Sequence, residues 1–249
     1  MVEKLFSYVL QYGIYFLEAG LFLFLLIAGG WKRLKGLGLY LGLLALVDVV
    51  IRQYVYYRYG FQSHQYQYVY WLTDVFLALA AFLLVCSFFR RTSYHEERSW
   101  GFLRLALSFV FLLVVGISFF TLSRNFDHLF SAYIYEFVQN LFFTCLVLNT
   151  FLYILMQQAE NRDEELELLV CGLGIQFAGP AASMALVSLT PGHHSTQFLY
   201  TLVSPLCTLG MLLTWFYAVS RVVRAVPATS LRKGTKVSAL AALGVTGLK

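Results

Sequence analysis

The stretch Tyr66-Gln67-Tyr68-Val69-Tyr70-Trp71-Leu72-Thr73-Asp74 decides the fold. It joins an aromatic, His-bearing loop to a long apolar run that continues to Phe89. An apolar run of about 20 residues matches the hydrocarbon core of a bilayer when it forms a helix. Asp74 lies inside this run, so the predicted helix carries a carboxylate into the membrane.

The composition of the whole chain favours a membrane protein. Of the 249 residues, 59% are hydrophobic and only 12% are charged, whereas soluble domains carry roughly 25% charged residues. Seven apolar runs are each long enough to span a bilayer: 5–30, 37–58, 68–89, 101–122, 130–156, 166–189 and 197–222. The sequence therefore predicts an all-α, seven-helix transmembrane bundle over residues 1–224, followed by a basic, flexible cytoplasmic tail over 225–249.

The distribution of basic residues predicts the orientation of the bundle. One side of the predicted membrane holds most of them: Lys32, Arg33, Lys35, Arg90, Arg91, Arg98, Arg221, Arg224, Arg232, Lys233, Lys236 and Lys249. The other side holds Lys4, Arg58 and Arg124. Since cytoplasmic segments are enriched in Lys and Arg, we expect a multi-pass plasma-membrane protein with its N-terminus outside. The net charge of +5 then reflects topology and indicates no nucleic-acid partner.

A 65-residue offset relates three predicted hairpins, made by helices two and three, four and five, and six and seven. Tyr70, Tyr135 and Tyr200 occupy equivalent positions at this offset, and so do Asp74, Gln139 and Ser204. A spacing of four places each Tyr and its polar partner on one helix face. Parallel repeats can converge on a shared site, although apolar helices of equal length also produce accidental register.

Five ionisable residues lie within the predicted spans: Glu18, Asp48, Arg52, Asp74 and Glu136. A charge at the centre of a transmembrane helix costs about 2.5–3.5 kcal/mol on insertion scales, so these side chains are expected to face the bundle interior. Arg52 and Asp74 lie at similar depth on one hairpin, which predicts an ion pair between them. Asp48, one turn deeper on the helix of Arg52, is the competing partner.

These residues define a predicted ligand site in the outer half of the bundle. Its members combine charged, amide, hydroxyl and phenol groups: Arg52, Tyr66, Tyr70, Asp74, Tyr135, Glu136, Gln139, Tyr200 and Ser204. A second polar layer near mid-depth contains Glu18, Asp48 and Gln176. Two further interpretations remain open for the same residues, namely a buried network that determines helix packing and an ion or proton path through both layers.

The histidines of the outer loops suggest a metal site. His64, His128, His193 and His194 share the predicted outer face, and four imidazoles within reach of one another suit copper or zinc. Their spacing resembles the integral-membrane MHYT sensor domain, although no Met precedes these histidines and no Tyr directly follows them. The resemblance implies only an outer metal site, and solvated loop histidines remain the alternative.

The predicted function is that of a receptor-like or sensor-like protein. It would bind a small ligand in the outer polar-aromatic pocket and signal to a separate cytoplasmic partner, with the lipid bilayer as its surroundings. Two alternatives are an accessory subunit of a larger membrane complex that holds lipid or pigment, and a small transporter or ion carrier. No HExxH, GxSxG or Walker motif occurs, so we expect no enzymatic activity.

Overall fold

The computed structural model describes residues 2–27, 33–60, 63–92, 97–122, 129–158, 163–189 and 202–221. Within these helices it describes the backbone alone at 2–8, 97–100, 102, 117–122, 129–133, 135–136 and 183–189. The predicted tail over 225–249 lies outside the described residues.

The described residues form helices and no strands. The helices are α1 (Val2–Ile27), α2 (Lys35–Tyr59), α3 (His64–Thr92), α4 (Glu97–Leu122), α5 (Leu129–Gln158), α6 (Glu164–Leu189) and α7 (Leu202–Arg221). Each of them falls on one of the seven predicted apolar runs, with ends that differ by a few residues. The prediction of an all-α fold is therefore confirmed.

Counting only residues that the structure describes, five of the helices contain segments long and apolar enough to cross a membrane: Val9–Ile27, Lys35–Tyr59, His64–Thr92, Phe137–Gln158 and Leu202–Arg221. In α4, the corresponding apolar segment of described residues is shorter, Leu103–Gly116. The five longer segments indicate a membrane protein, because each of them matches the thickness of the hydrocarbon core.

Contacts between helices place six of them around a common core. Helix α2 packs against α1 and α3, α3 against α5, and α5 against α6. Helix α7 closes the arrangement: its Trp215 donates a hydrogen bond to the carbonyl of Leu169 on α6 and meets the ring of Tyr40 on α2 edge-on. Helix α4 lies against α5, and its Phe111 also contacts Phe82 of α3.

Helix α2 changes its winding at mid-length. Residues Leu46–Ile51 form a π-helical turn between two α-helical segments, and the N–H of Arg52 donates to the carbonyl of Val47, five residues back. Short π-helical segments inside α-helices occur frequently at functional sites. In this protein, the π-helical turn carries Asp48.

Antiparallel packing gives the bundle two ends. We call the end that holds the α2–α3 connection the upper end, and the end that holds the α1–α2 and α5–α6 connections the lower end. Ion pairs join Arg33, which follows α1, and Arg91, near the end of α3, to the start of α6. These segments therefore share the lower end, as the sequence predicts.

Candidate functional site

The centre of the candidate site is the guanidinium group of Arg52 on α2. Its Nη2 donates to Asp74 Oδ1 on α3 at 2.7 Å, and its Nη1 donates to Asp48 Oδ1 at 2.8 Å. Its Nε donates to Thr73 Oγ1 at 3.1 Å. The predicted Arg52–Asp74 ion pair is confirmed, and Asp48 does not compete with Asp74 but binds the same guanidinium from the other side.

An aromatic ring covers this ion-paired group. The Arg52 guanidinium carbon lies 4.2 Å from the centre of the Tyr70 ring, a distance that permits a cation–π interaction. The Thr73 hydroxyl also donates to the carbonyl of Tyr70, at 2.9 Å. Tyr70 and Asp74, which are four residues apart, therefore both face Arg52, as the helical spacing predicts.

A second set of polar groups joins α1 to α2 beside this cluster. The Tyr15 hydroxyl on α1 accepts hydrogen bonds from Gln53 Nε2 at 3.1 Å and from Gln11 Nε2 at 2.6 Å. One helical turn further down α1 lies Glu18, whose side chain is completely buried. Both of its carboxylate oxygens lack a hydrogen-bond partner among the described residues.

Glu18 lies well inside α1. It is nine residues before Ile27, where the helix ends, or about 14 Å at 1.5 Å per residue. The charged groups that act on it are Asp48 and Arg52. Asp48, which was predicted to lie in the same layer as Glu18, binds Arg52 of the outer layer directly, so this ion pair joins the two predicted layers.

A groove opens at the upper end between α2 and α3. It has a volume of about 420 Å³ and is lined by Val55, Tyr59, His64, Gln65, Tyr68 and Val69. Val55 is three residues after Arg52, and Val69 is five residues before Asp74. The groove therefore lies about one helical turn above the ion-paired cluster.

None of the residues that line this groove belongs to the predicted ligand site, and only His64 was predicted as a site residue, as a metal ligand. Of the predicted members, Arg52 and Asp74 bind each other, while Tyr66 and Tyr70 form a ring contact at 6.3 Å. Sequence reasoning missed the valines, Gln65, Tyr59 and Tyr68, because helical spacing from Asp74 selects a different face of α3.

The remaining predicted site residues are only partly described. Tyr135 and Glu136 lie on α5, but their side chains are not described, and Tyr200 lies outside the described residues. Gln139 and Ser204 are half-buried. Within the described part of the chain, no hydrogen bond or ion pair joins either of them to Asp74, so the threefold repeat remains a prediction.

Gln176, predicted as a member of the mid-depth layer, lies in the middle of α6. Its side-chain oxygen is buried and lacks a hydrogen-bond partner among the described residues. Its neighbour Phe177 is fully buried against Phe142 of α5. Among the described residues, no hydrogen bond joins Gln176 to Glu18, the other predicted member of this layer whose oxygens lack a partner.

The metal prediction falls mainly outside the described residues. His64 is exposed at the start of α3 and lines the groove, whereas His128, His193 and His194 are not described. The described residues contain no group of three or more His, Cys, Asp or Glu side chains arranged to hold a metal ion. The copper or zinc site therefore remains a prediction.

A second ionic cluster lies at the lower end. Glu165, only 4% exposed, accepts from Arg33 Nη2 at 2.6 Å and from Arg91 Nη2 at 3.0 Å. Arg91 also pairs with Asp163 at 2.5 Å. Charges that lie far apart in the sequence thus bind one another. The sequence signal for this was the acidic stretch after Gln157, which lies on the same predicted side of the membrane as Arg33 and Arg91.

Comparison with protein-family models, with curated proteins and with solved structures finds no match to this chain. We therefore assign the class of protein from the helices and the ion pairs of this chain itself. It is a helical protein with several apolar helices of membrane-spanning length and a buried ionic cluster between α2 and α3.

Proposed function

We propose that the protein is a receptor-like or sensor-like membrane protein that binds a small ligand at its upper end. In this proposal all seven helices span the plasma membrane, and the N-terminus and the upper end face outside. The observation that carries the proposal is the groove between α2 and α3, directly above the Arg52 cluster.

The lining of the groove suits a small organic molecule. Its volume of about 420 Å³ falls within the roughly 300–1,000 Å³ typical of ligand pockets. Two phenols, an imidazole and an amide offer hydrogen bonds, and Val55 and Val69 offer apolar contact. This combination fits a ligand with an aromatic or apolar body and a few polar groups.

Helix α3 offers a route by which binding could reach the lower end. Asp74 and Arg91 are 17 residues apart on this helix, or about 26 Å. Asp74 is bound to Arg52 near the groove, and Arg91 is bound to Asp163 and Glu165 at the start of α6. A small displacement of α3 would therefore change both ionic clusters, the lower of which would face a cytoplasmic partner.

One feature favours sensing over the alternative of an ion carrier. Below Glu18, the core between α1 and α2 is filled by leucines that are almost completely buried: Leu21, Leu25, Leu37 and Leu41. Since an ion path needs polar groups along its length, the polar track among the described residues ends near mid-depth. A sensor needs no continuous track.

Native mass spectrometry of the full chain in lipid nanodiscs tests the proposed site. We expect the wild-type protein to retain a small molecule from the expressing cells, and Val69→Trp to lose it because the indole fills the groove. Leu83→Trp is the matched control, since Leu83 is exposed on the same helix. Equal retention by all three proteins, or retention by none, would refute a ligand site in the groove.

Hydrogen exchange in the same samples tests whether ligand binding is transmitted along α3 to the lower end. Removing the retained molecule should change exchange at residues 163–167 in the wild-type protein and in Leu83→Trp, but not in Val69→Trp. If the exchange rate in this segment is the same with and without the retained molecule, binding in the groove does not change the lower end through α3.

A further inference from the structure

Glu18 is a buried acid in the interior of the bundle. Its carboxylate is fully buried within α1, and neither oxygen has a hydrogen-bond partner among the described residues. An ionised carboxylate without a partner is strongly disfavoured in an apolar interior. A positively charged species bound to Glu18 would remove this penalty.

The charges around Glu18 do not balance. Three carboxylates, those of Glu18, Asp48 and Asp74, accompany the single guanidinium of Arg52. Arg52 is already hydrogen-bonded to both aspartates, so it provides no direct contact for Glu18. At least one additional positive charge is needed before the cluster approaches neutrality.

The elements packed around Glu18 supply no other cation among the described residues. Helix α1 itself contributes Tyr15, and α2 contributes Tyr40, Asp48 and Arg52. Helix α7 approaches this region through aromatic rings, where Trp215 contacts Tyr40. The π-helical turn that carries Asp48 interrupts the regular α-helical hydrogen-bonding pattern of α2, and Asp48 acts electrostatically on Glu18.

We propose that Glu18 and the π-helical turn of α2 form a binding site for a monovalent cation, either a proton or a sodium ion. A proton would convert Glu18 to the neutral acid. A sodium ion would be bound by the carboxylate together with oxygen atoms of the π-helical turn. Binding halves the net negative charge of the cluster beneath Arg52 and stabilises the packing of α1 on α2. This inference does not depend on the ligand groove.

Thermal unfolding of the detergent-purified full chain distinguishes the two cations. In choline chloride, a proton site predicts that the melting temperature falls by several degrees as the pH rises, because the folded protein must then bury an unpaired carboxylate. A sodium site predicts that replacing choline with sodium at fixed pH raises the melting temperature by several degrees. Potassium chloride provides the control for ionic strength.

Two variants assign the effect to Glu18. Glu18→Gln keeps the shape of the side chain without its charge. Its melting temperature should therefore no longer depend on pH or on sodium in the way that the wild-type protein's does. Glu164→Gln should keep that dependence, because Glu164 is an exposed acid at the lower end. If the wild-type and Glu18→Gln proteins respond alike, or neither responds, the cation site is refuted.

A labelling experiment on the wild-type protein tests the proposal even if Glu18→Gln does not fold. A membrane-permeable carbodiimide reacts with a protonated carboxylic acid in an apolar environment, and mass spectrometry locates the adduct. A proton site predicts modification of Glu18 that increases as the pH falls, and a sodium site predicts that sodium ions protect it. Glu18 that stays unmodified at every pH, with or without sodium, would overturn the proposal. Retention of a molecule by the groove would be unaffected by this result.

Discussion

Arg52 on α2 and Asp74 on α3 are joined by an ion pair of 2.7 Å that holds the first hairpin of the bundle together. The side chains are only 13% and 29% exposed. The same guanidinium binds Asp48 and lies under the ring of Tyr70. Three of the five N–H donors of Arg52 are therefore used for contacts with α2 and α3.

Arg52→Ala should destabilise the protein severely. Removing one partner of a buried ion pair costs about 3–5 kcal/mol, because it leaves an uncompensated charge. In this variant both Asp48 and Asp74 lose their partner. We expect poor expression and a lower melting temperature, with partial recovery in the double variant Arg52→Ala, Asp74→Ala. Arg104→Ala on the exposed face of α4 is the control. Wild-type stability of Arg52→Ala would show that the pair has no structural role.

The lower ionic cluster should depend much more on Glu165 than on its neighbour Glu164. Glu165 is buried between Arg33 and Arg91, whereas Glu164 pairs with Arg221 at 67% and 55% exposure. Hydrogen bonds to charged groups contribute about 1.5–3 kcal/mol, and exposed pairs contribute at most about 1 kcal/mol. Denaturant unfolding should therefore show a clearly lower free energy of unfolding for Glu165→Gln and little change in it for Glu164→Gln. Equal losses would contradict the assigned burial.

Trp215 should be the principal contact that holds α7 against α6. Its side chain is fully buried, and its Nε1 donates to the Leu169 carbonyl at 2.9 Å. Gly172 allows this approach, because a Cβ atom there would lie 2.6 Å from Trp215 Nε1. Overpacking of this kind costs about 1–3 kcal/mol, so Gly172→Ala should lower the melting temperature.

Two further variants complete this test. Trp215→Phe should be destabilised by a similar amount, since it loses the hydrogen bond and part of the ring. Leu213→Ala removes an exposed side chain of the same helix and should have little effect. A thermal unfolding series in which Gly172→Ala matches the wild-type protein would rule out the close packing.

The proposed orientation can be tested by cysteine labelling of intact cells. Cys86, Cys145, Cys171 and Cys207 are free thiols, and a background with alanine at these four positions removes them. In that background Gln65→Cys at the upper end should react with a membrane-impermeant maleimide. Glu164→Cys at the lower end should react only after permeabilisation. The reverse pattern would place the N-terminus in the cytoplasm.

Some tertiary contacts could be predicted because the chain connects their elements directly. Arg52 and Asp74 belong to neighbouring helices joined by a short turn, and counting residues from the turn places them at similar depth. The π-helical turn could not be predicted in this way. Its sequence Leu46–Ile51 is a continuous apolar run with one aspartate, and nothing in that pattern distinguishes a π turn from an α turn.

The lower cluster illustrates the same limit at longer range. The sequence places Arg33, Arg91 and the acidic stretch around Glu165 on one side of the predicted membrane, but it does not pair them. Which arginine meets which carboxylate depends on the order of the helices around the core. That order results from the packing of faces such as Gly172 against Trp215.

The sequence by itself determined the helices and the depth of their charged residues, because apolar length and the rise per residue depend only on the local chain. Tertiary structure alone decided that Glu18 has no hydrogen-bond partner within the described part of the chain, that Arg52 binds two aspartates, and that the groove lies on the Val69 side of α3. Each of these facts depends on which helix faces meet, and that is settled by close packing between segments far apart in the chain.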